Sequence, residues 1–226
     1  MESLKTIGAH IADIRITVRQ TSDDSNYSDE YIYKLISDAR ALLLHQEIYK
    51  HRKLSEWNFQ TFCVKLEPAT YHDCSCITDI GCKIMKSTIK IPKPLLSRFK
   101  NYFKVYNITQ DFEIYKTTPM QLKRDKYSNT RNGIRGYDIS NERLILFNSN
   151  GMNHVLIRGV FEDPVLVSMT SACPSADICT DILKVEFPID VRFNSILKEM
   201  VVKQLIGSMQ LPDDKTNNAE SSVTKI

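Results

Sequence analysis

Pro188-Ile-Asp-Val-Arg-Phe-Asn-Ser-Ile-Leu-Lys-Glu-Met-Val-Val-Lys-Gln-Leu-Ile206 is the stretch on which the fold turns. Val191, Ile196, Leu197, Met200, Val201, Leu205 and Ile206 fall on one broad face at helical spacing. Asp190 and Arg192 stand at the start and Lys198 and Glu199 midway. The pattern predicts an amphipathic helix near the end of the chain, and such a helix needs a partner to cover its apolar face.

The partners offered by the sequence stand at the other end. Leu4, Ile7, Ile11, Ile14 and Val18 recur at steps of three and four, predicting a first helix. Thr21-Ser-Asp-Asp-Ser-Asn26 breaks it with residues whose side chains compete for backbone groups. Ser28 is the predicted N-cap of a second helix, with Asp29 and Glu30 in its first turn. Ile32, Leu35, Ile36, Ala39, Leu42 and Leu43 carry its apolar face. The fold class expected is α+β: a helical bundle of this N-terminal pair and the C-terminal helix, with a long β-rich insertion and a flexible C-terminal tail. The boundaries expected are 1–56 for the helix pair, 57–163 for the β-rich insertion, 164–210 for a loop and the C-terminal helix, and 211–226 for the tail.

Within the insertion the period changes to two. Phe62, Val64 and Leu66 alternate with Cys63, Lys65 and Glu67 up to Pro68. Further strands are expected over 83–91, 104–108 and 112–115, and a short helix after Thr118-Pro119. Residues 143–147 and 154–161 are expected to form a hairpin around Asn148-Ser-Asn-Gly151. Glu162-Asp163-Pro164 is read as a strand stop.

Composition narrows the class. The 226 residues are 42% hydrophobic and 25% charged, typical of a folded chain able to bury roughly 70% of its unfolded surface. A net charge of +3 is modest for a dedicated nucleic-acid binder. The sequence holds no apolar run of the ~20 residues a membrane span needs, so no membrane partner is expected. The start, Met1-Glu-Ser-Leu-Lys5, does not read as a secretory signal.

Motifs for an enzyme do not assemble: there is no phosphate-binding glycine loop, no H-E-x-x-H and no G-x-S-x-G, so neither catalytic residues nor a cofactor are expected. His10, His45, His51, His72 and His154 are read as isolated imidazoles. His72-x-Cys74-x-Cys76-x5-Cys82 is rich in soft ligands but lacks paired C-x2-C spacing. A zinc site from Cys74, Cys76, Cys82, Cys173 and Cys179 is the minority reading; burial of small side chains is preferred, and disulfides are disfavoured in a reducing compartment.

Charge distribution is more informative. Lys83, Lys86, Lys90, Lys93, Arg98, Lys100 and Lys104 follow one another with no acid between them. Aromatic residues Phe99, Tyr102, Phe103 and Tyr106 are interleaved. This composition suits either a phosphate backbone or a protein interface. Acids gather elsewhere, in Asp23, Asp24, Asp29, Glu30, Asp213 and Asp214, an asymmetry suited to head-to-tail rings.

The order of certain segments carries a resemblance. Ser22-Asp-Asp-Ser-Asn-Tyr-Ser-Asp-Glu-Tyr-Ile32 leads into Leu35-Ile-Ser-Asp-Ala-Arg-Ala-Leu-Leu-Leu44. The cysteine-rich loop, Lys90-Ile-Pro-Lys93, Ile157-Arg-Gly-Val-Phe-Glu-Asp-Pro164 and Pro212-Asp-Asp-Lys-Thr-Asn-Asn-Ala219 follow. In this order the chain resembles structural ring proteins of crAss-like bacteriophages and, more broadly, head-to-tail adaptors of short-tailed phages. The resemblance implies a virion structural protein of the neck, assembled in the host cytoplasm. It implies a homo-oligomeric ring, typically of twelve copies, touching the portal protein and other tail or ring proteins, with double-stranded genomic DNA passing through. It assigns Pro212, Asp213, Asp214, Lys215, Thr216, Asn217, Asn218 and Ala219 to docking on the portal. The alternative reading is a small basic nucleic-acid-binding protein using the segment from Lys83 to Arg135.

Overall fold

A computed structural model describes residues 4–19, 27–50, 52–70, 84–95, 102–125, 135–149, 151–171 and 181–209. Two helices open the chain, α1 (Ile7–Arg19) and α2 (Asp29–Tyr49). A 3-10 turn (Glu56–Asn58) leads into β1 (Gln60–Pro68), β2 (Met85–Ser87), β3 (Phe103–Asn107) and β4 (Glu113–Lys116). A short helix, α3 (Pro119–Asp125), precedes β5 (Gly136–Ser140), β6 (Arg143–Phe147) and β7 (His154–Gly159). Then come α4 (Pro164–Thr170), two further 3-10 turns and α5 (Asn194–Met209).

The strands close on themselves in the order β1-β2-β6-β5-β4-β3-β7. Closure depends on the length of β1. Its first part, Gln60 to Lys65, pairs with β7, and its last part, Leu66 to Pro68, pairs with β2. One junction, β4 with β5, is parallel and the other six are antiparallel. Gly136 begins β5 because a Cβ there would stand 2.1 Å from Thr117 Cγ2. The interior is filled by alternate side chains, among them Phe62, Val64, Phe103, Val105, Ile114, Tyr137, Leu144, Leu146, Val155 and Ile157.

This architecture corrects the expected fold class. The β-rich region is not an arm inserted into a helical bundle; it is a closed seven-stranded barrel with helices layered against it. The expected 143–161 hairpin also does not form: β6 pairs with β5 and β2, whereas β7 pairs with β1 and β3. Asp163-Pro164 starts α4 instead of only ending a strand. The Asp163 carboxylate accepts from the backbone N–H groups of Val165 and Leu166 at 3.0 and 3.2 Å, with Pro164 in the first turn.

The helical layer has its own core. Ile7, Ile11, Ile14 and Val18 of α1 meet Ile32, Ile36, Ala39 and Leu43 of α2 and Leu197, Val201 and Leu205 of α5. Strand-like bonds tie the N-terminus to the approach of α5: the Ile7 N–H donates to the Val185 carbonyl and the Phe187 N–H to that of Lys5, each at 2.9 Å. Leu44, Ile48, Leu54, Leu95, Tyr102 and Val160 form an apolar seam between α2 and the barrel. Arg40, fully buried, crosses that boundary. Its guanidinium donates to the carbonyls of Phe161 (2.7 Å), Pro188 (2.8 Å) and Asn58 (3.4 Å). Burial pushes its pKa down to about 10, so it stays charged at neutral pH, helped by the nearby Asp163.

His10 lies in the helical core, edge-on to Phe187 at 5.4 Å, and its Nε2 atom has no hydrogen-bond partner. Burial, and secondly the Lys5 charge, push its pKa down to about 4, with Asp13 opposing weakly. The unfolded chain titrates near its ordinary value of about 6.5, so it binds the proton more readily than the folded one. The neutral imidazole's contribution is therefore complete above that value and is lost as pH falls from about 6.5 towards 4. Urea unfolding midpoints should show this group weakening the fold by up to about 3 kcal/mol across that window. In His10→Leu that part of the slope should vanish; parallel pH profiles for the two proteins would contradict the assignment.

Candidate functional site

The cations singled out from sequence are not bare in the folded chain. Lys86 Nζ stands 3.4 Å from Glu67, Lys90 2.6 Å from Glu142, Lys93 2.9 Å from Glu162 and Lys104 2.9 Å from Glu113. The carboxylates come from other segments, brought beside the lysines by strand pairing. Lys90 holds the Glu142 carboxyl below its ordinary range, and the Glu113 hydrogen bond raises the Lys104 pKa. Most of these groups are solvent-exposed, so the pairs add little to stability and mainly flatten the local potential. Lys83, Arg98 and Lys100 lie outside the described residues, as do Pro212 to Ala219.

Of the six cysteines only Cys63 is described, and it is disulfide-bonded, which corrects the expectation that disulfides are avoided. Cys74, Cys76, Cys82, Cys173 and Cys179 lie outside the described residues. Among the described residues no group of three or more His, Cys, Asp or Glu side chains is placed to hold a metal. Among them, too, no helix is long and apolar enough to cross a membrane.

The feature with the clearest recognition chemistry is a cleft of about 410 Å³ on the outside of the barrel, below the C-terminal end of α2. Strand alternation builds its floor. Phe103 and Val105 of β3 point inward, so Tyr102, Lys104 and Tyr106 point toward the cleft. On β7, Val155 and Ile157 point inward and Arg158 points out, directly opposite Lys104 in the β3–β7 register. Gly159 lets the strands approach: a Cβ there would lie 3.0 Å from the Phe161 ring and 3.2 Å from the Tyr102 carbonyl.

The wall comes from the α2–β1 connection. Phe59 packs on Tyr102 with ring centroids 6.1 Å apart and lies under the Arg158 guanidinium at 5.3 Å. Arg158 also pairs with Glu56. The Tyr102 hydroxyl donates to the Arg52 carbonyl at 3.4 Å, and burial pushes its phenol pKa up. Lys53 and Leu54 complete the rim. The cleft thus offers aromatic faces, an aliphatic corner and three cations, of which Lys104 is paired with Glu113, Arg158 with Glu56, and Lys53 with no described carboxylate. It suits a segment that combines apolar side chains with acids.

A sequence model of the family described as phage tail ring protein 2, of the crAss-like phages, matches residues 10–223. The chain belongs to that family. It is a structural ring protein of a crAss-like phage, and its place is in the virion tail. No curated protein matches it.

Sequence reading of this ring protein picked out Tyr102, Lys104 and Tyr106, but not Lys53, Leu54, Glu56, Phe59 or Arg158. The available signal was the period-two run Tyr102-x-Lys104-x-Tyr106; the pairing of β3 with β7 that adds Arg158 has no local signature. Because Lys86, Lys90, Lys93 and Lys104 are each paired with a carboxylate, duplex DNA should bind only weakly. Fluorescence anisotropy at about 150 mM salt is expected to give a non-specific Kd of about 10 µM or weaker. A sub-micromolar Kd at that salt would favour the nucleic-acid-binding alternative.

Proposed function

We propose that the ring protein is a non-enzymatic part of the virion neck, present as a homo-oligomeric ring of about twelve copies. The ring joins the portal to the tail and forms part of the wall of the channel through which the genome leaves. Membership of a phage tail ring family, with the match running through nearly all of the chain, carries this reading. The compensated lysines support it: a channel wall that pairs its cations with carboxylates lets DNA pass without holding it. In this reading Lys83, Lys86, Lys90, Lys93, Arg98, Lys100 and Lys104 belong to a contact or channel-facing surface, not to a dedicated DNA-binding site. The mechanism is geometric. Closure of a rigid barrel-and-helix unit into a ring sets the channel, and assembly in the host cytoplasm precedes genome ejection from the finished virion.

Phage lacking this protein should yield DNA-filled heads that leak or carry no tail, seen by electron microscopy and counted by infectivity. Tailed, infectious particles in normal numbers from the deletion would contradict the proposal.

A further inference from the structure

A ring built from one kind of chain uses two different faces of each copy, one received by the next. The fold places two matching features at opposite ends of its helical layer. The cleft lies at the C-terminal end of α2: Arg52, whose carbonyl binds the Tyr102 hydroxyl, also pairs with Glu47 at 3.2 Å. The start of α5 is at this same end, since Arg192 reaches Glu47 at 3.5 Å. Its other end lies beside the start of α2, where the Tyr27 hydroxyl donates to the Leu205 carbonyl at 3.0 Å. From Asp29 to Tyr49 the helix rise gives about 30 Å.

The chain continues past Met209 as Gln210-Leu-Pro-Asp-Asp-Lys215 and on to Ile226. Leu211 and Pro212 supply the apolar chemistry that fits the Phe59 and Tyr102 rings, and prolines dock well on aromatic faces. Asp213 and Asp214 supply the charge that fits Lys53, and they meet Lys104 and Arg158 beside the carboxylates of Glu113 and Glu56 that already pair with those two. Lys53 has no ion pair among the described residues, so it is ready for such a partner. At full extension Pro212 reaches only about 10 Å beyond Met209, and Asp214 about 17 Å. The motif therefore falls short of its own cleft but is free to enter that of an adjoining copy.

Resting on the ring reading above, we propose that Leu211–Asp214 of one copy docks in the cleft formed by Phe59, Tyr102, Tyr106, Lys53, Lys104 and Arg158 of the next. This makes the C-terminal segment the link between copies and gives it an acceptor other than the portal.

The test uses full-length protein. A photo-reactive benzoyl-phenylalanine replaces Tyr106 in a mixture of 14N- and 15N-labelled chains, assembled with portal-bearing heads present, and cross-linked peptides are identified by mass spectrometry. Cross-links from the cleft to residues 210–220 with mixed isotopes are expected. Same-chain links only, links to the portal, or links elsewhere overturn the docking. Independently, Asp213→Lys with Asp214→Lys should weaken self-association by on the order of tenfold, and adding Lys53→Glu should restore part of it. Unchanged rings from the double variant overturn the docking and leave the ring reading intact. A wild-type chain that forms no ring, alone or on heads, overturns both.

Discussion

A guanidinium without a carboxylate in direct contact holds this molecule together. Arg40 has lost its water, and three backbone carbonyls replace it: Phe161 beyond the end of β7, Pro188 before α5 and Asn58 in the turn before β1. Each carbonyl belongs to a different segment: Phe161 bridges to Pro94, Asn58 closes the 3-10 turn, and Pro188 lies in the approach to α5. Phe187 lies near the guanidinium face, 5.8 Å from its centre. Asn58 extends the network, accepting from the Asp190 N–H at 3.2 Å through its side chain. One α2 side chain thus fixes where the barrel ends, where the last helix begins and how the connection between them runs. The burial of that charge is costly, and its hydrogen bonds offset the cost only while all three segments stay in place.

That requirement has a functional meaning in a ring. Copies meet in a closed circle only if the receiving and presented surfaces hold a fixed angle and spacing, because small errors accumulate around the circumference. Two separately mobile layers would not supply this. The apolar seam of Leu44, Ile48, Leu54, Leu95, Tyr102 and Val160 and the buried Arg40 join barrel to helices as one body. Val165 of α4 enters the helical core and Val167 the barrel core, so this short helix is a second tie. Tyr33 adds a third by donating to the Asp163 carboxylate at 2.6 Å.

How much of this the sequence declared follows from the range of each interaction. The stripes Ile7-Ile11-Ile14-Val18 and Leu197-Val201-Leu205 are local, and the side chains they name are buried in one core. Ser28 likewise caps α2 by accepting from the Tyr31 N–H at 3.2 Å. Barrel closure is not local. It joins Gln60 to Gly159, and it runs through strands such as Met85–Ser87 that are too short to show a period. β5 begins with glycine and contains Asp138 and Ser140, so by composition it reads as a turn. The charge run has the same limit: proximity along the chain says nothing of Glu67, Glu113, Glu142 and Glu162, which folding sets against the lysines. The cleft gathers residues from positions 53 to 158, and no window of the sequence contains it.

Replacing Arg40 by methionine probes the central claim most directly. The substitution keeps the aliphatic volume but leaves three buried carbonyls without their donor. Urea unfolding can be followed both by fluorescence of Trp57, the single tryptophan, in the turn that leads into β1, and by far-ultraviolet circular dichroism of the helices. If Arg40 unites the layers, Arg40→Met should lose about 3–5 kcal/mol of stability, and the two probes should separate into distinct transitions where the wild type shows one. A loss below about 1 kcal/mol with coincident transitions would show that the layers are held together by something else.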